Sequence, residues 1–151
     1  IQPMYNLVKR QSEVELLPLA LSEQMGVIPY SPLGGGLLTG KYGRKDRPDQ
    51  GRIMENPMYA RRYSVDWYYD TAEDFTTYAR SKGYHPVSLA VAWVLAHPGV
   101  TAPIIGARTL AQLEPSLEAI NIPMTPEMRA EISAFSPTPP PATDRLEEQG
   151  R

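Results

Sequence analysis

The stretch GVIPYSPLGGGLLTGKYG, Gly26 to Gly43, decides how this chain reads. A short apolar run, Val27-Ile28-Pro29-Tyr30, ends in an aromatic and breaks into Ser31-Pro32-Leu33, three glycines at 34–36 and then Lys41. Four apolar residues bounded by turn formers predict a strand. An aromatic at the end of a strand can stack on a planar ring. Bare glycine backbone lets N–H groups approach an anion, and the lysine supplies charge. A glycine-rich turn after a core tyrosine accounts for the same residues without a ligand, and a short glycine run is a weak motif on its own.

Upstream, Met4 to Val8 reads as the end of a short strand between Pro3 and the charged Lys9-Arg10. Ser12 and Glu15 have the spacing of a capping box. Val14, Leu17, Leu21 and Met25 recur at helical spacing up to Gly26, a natural stop. Strand, helix and strand within thirty residues have the size of a βαβ unit with parallel strands. Downstream, Arg44 to Tyr69 lacks a clean period and is too long for a plain connector, so residues 44–69 are a candidate lid or binding loop. A helix is expected from Asp70 or Thr71 to Lys82, ended by Gly83. Pro86 opens another, Val87 to His97, apolar nearly all round and therefore buried. Val100 to Ile105 reads as a third strand, and a helix follows from Thr109 to Ala119. Thr125-Pro126 starts a last helix with Met128, Ile132 and Phe135 on its apolar face. Residues 136–151, with four prolines and mixed charge, read as a tail behind a unit spanning 1–135. The alternation implies an α/β architecture. Three strands are few to cover so apolar a helix, and the chain reads as part of a larger fold.

A second constellation repeats the first: Ile104-Ile105-Gly106-Ala107-Arg108 is again strand, glycine and cation, leading into a helix whose N-terminus favours an anion. A solvated arginine at a loop edge is the plain alternative. Two strands that each run into a glycine and a cation strengthen both. The basic stretch Lys41, Arg44, Lys45, Arg47, Arg52, Arg61 and Arg62, interleaved with Tyr59 and Tyr63, is diluted by Asp46, Asp49 and Glu55 and reads as a solvated loop. His85 and His97 each precede a proline at a helix end, where capping or surface placement is expected. Carboxylate pairs such as Glu147-Glu148 sit in the tail. No Ser/His/Asp set and no acid–base pair stands out.

The 151 residues are 42% hydrophobic and 21% charged with a formal net charge of −2. That composition fits one globular domain and disfavours nucleic acid or an anionic membrane as partner. Without cysteine there is no disulfide framework or thiolate metal site, and two histidines leave little for a metal. The longest apolar run, Leu89 to Ala96, falls far short of a membrane span. Nothing with the build of a signal peptide opens the sequence, so a cytoplasmic location is expected.

Three segments carry a resemblance. QPMYN at Gln2 to Asn6, YSPLGGGLLTGKY at Tyr30 to Tyr42 and PIIGARTLAQLE at Pro103 to Glu114 resemble the aldo-keto reductases, in the order and spacing of that family's last three barrel strands. SLAVAWVLAHPGV at Ser88 to Val100 looks like the helix between the last two. The resemblance implies a (β/α)8 barrel of the TIM type, with the active site at the C-terminal ends of the strands. This chain would supply only about the last three strands and their helices.

By the same resemblance, the complete protein passes a hydride from NADPH to an aldehyde or ketone. Tyr30 matches the aromatic under the nicotinamide ring, and Gln2 the side chain that holds its carboxamide. Ser31, Pro32, Leu33, Gly34 and Gly36, with Lys41, match the segment around the pyrophosphate. Gly106 and Arg108, with Gln112 beside them, match the turn that receives the phosphate on the adenosine ribose, and Arg52 is a looser candidate from the lid. Where the family often carries an acidic residue and an asparagine toward the adenine, this chain has Pro115 and Ser116, of which Ser116 keeps one hydrogen-bonding group. The family's catalytic aspartate, tyrosine, lysine and histidine precede the segment matched here, so no residue of this chain is assigned to catalysis. The N-terminal half of the barrel, in the same or a partner chain, is therefore an expected partner. Two other readings stay open: a non-catalytic nicotinamide-nucleotide-binding or regulatory module, and a phosphate-binding protein unrelated to redox work.

Overall fold

Three extended segments run side by side in the middle of the computed structural model, which describes residues 1–141. The order in space is 1–5, 27–30 and 101–104. Ile28 N donates to Ile1 O at 2.9 Å, Tyr30 N to Pro3 O at 3.0 Å and Tyr5 N to Tyr30 O at 3.2 Å. Met4 and Tyr30 form a parallel bridge. On the other side Thr101 N donates to Val27 O and Ile104 N to Pro29 O, both at 2.8 Å, so the third segment runs the same way. Pairing thus begins at Ile1 and ends at Tyr5, earlier than the expected strand at Met4 to Val8. Asn6 and Lys9 instead exchange backbone hydrogen bonds across a tight turn.

The first connection differs from its expected form. A 3₁₀ turn, Gln11–Glu13, precedes α1, Leu16–Ser22. The expected capping box is absent: Ser12 Oγ donates to Met4 O, and the N-cap position, Glu15, makes no side-chain cap. Pro18 is the physical reason. A proline has no N–H and its ring clashes with the preceding turn, so it is tolerated only in the first turn of a helix. A helix capped at Ser12 would bury Pro18 in its interior, whereas a start at Leu16 places it third. The stop also shifts, because Gln24 takes the left-handed conformation at φ 53° and Met25 N closes on Ala20 O before Gly26 is reached.

Residues 44–69, expected to be an irregular lid, contain two short helices, α2 at Arg52–Glu55 and α3 at Pro57–Arg62. Asn56 caps α3 through its side-chain oxygen, which accepts from Met58 N at 3.0 Å. The following helix, α4, is Asp66–Ser81, starting four residues before the expected position and ending by Gly83 as expected. Then come α5, Pro86–Leu95, α6, Leu110–Leu117, and α7, Pro126–Ser133. Their caps follow the sequence: His85, Thr109 and Thr125 each accept a backbone N–H of the first turn. His97 Nδ1 likewise accepts from Gly99 N at 3.0 Å.

The nearly all-apolar helix α5 is buried from Pro86 to Val94, so the expectation that it would lack cover is not met. α4, α6, the glycine turn and α7 close around it, with Trp93 Nε1 donating to Ser133 Oγ of α7 at 3.0 Å. The uncovered apolar surface lies elsewhere. Alternation along the segments buries Tyr5, Val27 and Pro29 under the helices and leaves Ile28 43% and Ile104 40% exposed on the other face. Leu16, Leu19 and Leu21 of α1 are exposed as well. Ser136 is buried and accepts from Arg10 Nη1, while Gln11 reaches Pro140 O, so residues 136–140 lie back over the first turn. Residues 142–151 of the expected tail, Glu147 and Glu148 among them, lie outside the described residues.

Candidate functional site

Both glycine–cation turns leave the same edge of the sheet. The second and third extended segments are neighbours joined by Ile104 N to Pro29 O, and each runs into its turn one or two residues later. Tyr30, half-buried, closes the second segment; Gly106, exposed, follows the third. Met4 opposes Tyr30 across the first pair. Gln2 stands two residues earlier, on the same face as Met4 by strand alternation, and is exposed.

The turn after Tyr30 requires glycine. Gly34, Gly35 and Gly36 have φ of 58°, 67° and 101°, and Gly40 follows at 86°. That left-handed path is one side chains seldom adopt. At Gly35 a Cβ would also meet Tyr59 Cδ1 at 2.8 Å, so α3 sits on the turn itself. At Gly36 the nearest atom to a Cβ is Lys41 Cε at 3.9 Å, which leaves this backbone open beside the lysine. Arg52 and Arg62 flank Tyr59, at 5.3 and 5.2 Å from its ring centre. The fold thus brings Arg52 of α2 toward the glycine turn and the Lys41 that follows it. Ser31 enters the turn at φ 60°, Pro32 is buried, and Leu33 packs on the core.

The second turn is self-supporting. Gln112 Oε1 accepts from Arg108 N at 3.0 Å, and Thr109 Oγ1 accepts from Gln112 N at 3.3 Å. Nothing stands within 4 Å of a Cβ built on Gly106. Gly106, Arg108 and Gln112 are therefore one exposed unit at the start of α6. Ser116 is not part of it: the residue is 4% exposed and adjoins Pro115, whose carbonyl accepts from Ser88 Oγ of α5 at 2.6 Å.

Arg44 and Arg47 of the lid are committed within the chain. Arg44 meets Asp70, Glu73 and Asp74 of α4 at 2.8–3.2 Å, which pins the start of the lid to that helix. Arg47 lies over the Tyr69 ring, 3.5 Å from its centre. Sequence reasoning missed the residue that anchors the first turn, Asn6. Its side chain is fully buried, accepts from Val8 N at 3.1 Å and donates to Ser31 O at 2.9 Å. An asparagine that bonds the backbone two residues on is a recognisable turn former, so Asn6-Leu7-Val8 carried the signal. Tyr63, also buried, has its hydroxyl pushed up to about 12 by burial, with the Asn6 amide drawing it back.

Taken with the fold, these turns define a β/α protein with two glycine- and cation-bearing loops at one end of its parallel segments. The chain belongs to the aldo/keto reductase family, whose model matches residues 1–137. It is 33% identical over 138 residues to the oxidoreductase YrpG of Bacillus subtilis, covering 91% of this chain and 40% of that protein. It is 34% identical over 148 residues to a probable voltage-gated potassium channel subunit beta of Oryza sativa, covering 95% and 45%. Among solved structures, a glycerol dehydrogenase of Gluconobacter oxydans superposes with a TM-score of 0.72 at 28% identity, covering 95% of this chain and 45% of that one. The chain thus spans less than half the length of these relatives. Among the described residues no helix is long and apolar enough to cross a membrane.

Proposed function

We propose that this chain is the C-terminal half of a (β/α)8 barrel and carries much of the cofactor site of an NADPH-dependent carbonyl reductase, without its catalytic acid. The observation that carries the reading is the emergence of two glycine–cation turns from the same ends of neighbouring parallel segments, the end at which barrel enzymes build their sites. The residues fit a dinucleotide phosphate: open backbone at Gly36 and Gly106, a lysine beside the first turn and an arginine in the second. When bound, the nicotinamide supplies a hydride to a carbonyl carbon. Tyr30 offers a face for its ring, and Gln2 an amide for its carboxamide. Ser31, Pro32, Leu33, Gly34 and Gly36, with Lys41 and Arg52, receive the pyrophosphate. Gly106, Arg108 and Gln112 receive the ribose phosphate, while Ser116, buried behind them, drops out of the adenine site. The proton donor comes from the barrel half that covers Ile28 and Ile104, which makes that half an essential partner in the same or another chain. A cytoplasmic location, expected from the sequence, goes with this reading.

A second reading, a non-catalytic regulatory subunit that still holds the cofactor, is favoured by the potassium channel subunit among the relatives. One experiment separates the readings. The chain is produced together with the segment that completes the barrel, and protein fluorescence is followed on adding NADPH or ATP, then NADPH oxidation with simple aldehydes and ketones. Quenching by NADPH alone, followed by turnover, is the expected result. Quenching without turnover favours the regulatory subunit, and equal quenching by ATP overturns both.

A further inference from the structure

We propose that Asn6 is a positioning residue that sets the Tyr30 platform and the glycine turn together by gripping one carbonyl, that of Ser31. The proposal rests on the assignment of Tyr30 and the glycine turn to NADPH made above.

Ser31 is a non-glycine residue at φ 60°, and strain of that kind persists only where the surroundings over-determine it. Two donors meet its carbonyl: Gly34 N at 2.9 Å from within the turn and Asn6 Nδ2 at 2.9 Å from the neighbouring segment. The first bond closes the turn. The second fixes which way the turn faces. Tyr30 is already held by Pro3 and Tyr5 through the ladder, so Asn6 supplies the constraint on its other side.

Asn6 is itself tied down. Its backbone exchanges two hydrogen bonds with Lys9, and its side chain is fully buried. The orientation of its amide follows from its partners, since Val8 offers an N–H and Ser31 a carbonyl. A Cβ on Gly34 would stand 3.8 Å from Asn6 Oδ1, so the amide lies directly against the glycine turn. A buried amide left unpaired is costly, and this one has both ends paired across two elements of the site. The second turn, at Arg108, is held by Gln112 and Thr109 and owes nothing to Asn6.

That independence provides the test. Asn6→Asp keeps the shape and the acceptor for Val8 N but sets a carboxylate oxygen against the Ser31 carbonyl. In the completed barrel, Asn6→Asp should weaken NADPH about tenfold, equivalent to one lost stacking or hydrogen-bond contact. Adenosine 2′,5′-bisphosphate, which reaches only the Arg108 turn, should bind within twofold of the parent. Equal losses for both ligands, or no loss for NADPH, overturn the proposal, because a general structural role would weaken both. A parent protein that binds no NADPH overturns the cofactor assignment itself. Should Asn6→Asp fail to fold, the parent answers the question: the Asn6 side-chain amide protons should shift in NMR spectra with NADPH and stay put with the bisphosphate. Equal shifts with both ligands, or none with either, overturn it again.

Discussion

Arg129 of the last described helix donates from Nη2 to the Tyr5 hydroxyl at 2.7 Å, and that hydroxyl donates to Glu13 Oε1 at 2.5 Å. The bond joins α7 to the first extended segment across most of the chain. Tyr5 is fully buried with its ring 5.2 Å from Trp93, and the Arg129 guanidinium lies 4.8 Å from the same indole. Hydrogen bonds to charged partners contribute roughly 1.5–3 kcal/mol. Tyr5→Phe keeps the ring and removes the link, so urea unfolding of the completed barrel should shift by about 1–3 kcal/mol at unchanged m-value. A shift below ~0.5 kcal/mol would mean that the network is energetically neutral.

The same network gives the fold an acid limit. Burial raises the Glu13 carboxyl, but hydrogen bonds from Arg10 and Tyr5 and the charge of Arg129 outweigh it, and the net shift is downward from 4.5. A depressed carboxylate contributes stability that is fully present above its ordinary value and is lost as pH falls through the folded one. His97 is lowered from 6.5, by burial first and then by Arg129, and its contribution begins to fade as pH drops below 6.5. Stability should therefore fall in two stages on acidification. Glu13→Gln should flatten the limb below 4.5 and deepen the earlier one, because the Glu13 charge partly offsets the lowering of His97; unfolding profiles recorded from pH 8 to 3 check this.

The residues legible in sequence were those whose role is local. Pro86, Thr109 and Thr125 announced their helices, and Gly83 its stop, because caps and helix starts depend on a few neighbours. Ser12 misled because Pro18 overrides a capping box. The Leu16 start satisfies the proline instead. The lid helices were hidden since α2 and α3 are too short to show a period; α2 is anchored by buried Ile53, and α3 by the Asn56 cap and by Tyr59 against Gly35. Within the site, glycines and cations were visible as types. The grip of Asn6 on Ser31 was not, because it joins residues 25 apart and depends on register between segments.

The sheet face carrying Ile28 and Ile104, with the leucines of α1, should make the chain sticky by itself. Open edges and exposed apolar faces promote association. Expressed alone, the 151 residues should bind an apolar dye and sediment as aggregates, and adding the proposed N-terminal barrel half should abolish both. A dye-silent monomer with a cooperative melt would show that the face is content in water.

Tyr30 should act through its ring. In the completed barrel Tyr30→Ala is expected to weaken NADPH by roughly 0.5–1.5 kcal/mol beyond any packing loss. Tyr30→Phe should be nearly silent, since stacking uses the face and not the hydroxyl. Titration by fluorescence decides it: equal damage in both variants would assign the role to the hydroxyl.

Arg108 should choose NADPH over NADH. The two cofactors differ by one phosphate on the adenosine ribose, so discrimination needs a cation at that position. The arginine stands between exposed Gly106 and the N-terminus of α6, where backbone donors also favour an anion. A guanidinium can fork onto two phosphate oxygens. Such charge-assisted bonds contribute roughly 1.5–3 kcal/mol, or about 10- to 150-fold in affinity. The structure separates this role from loop support, because Gln112 Oε1 holds the Arg108 backbone N–H and not its side chain. Arg108→Ala therefore keeps the turn and should weaken NADPH by that range while leaving NADH nearly unchanged. Gln112→Ala should loosen the turn and weaken NADPH less. Equal losses for both cofactors in Arg108→Ala would return the arginine to a structural role, and no loss for either would pass the phosphate to Arg52 of the lid.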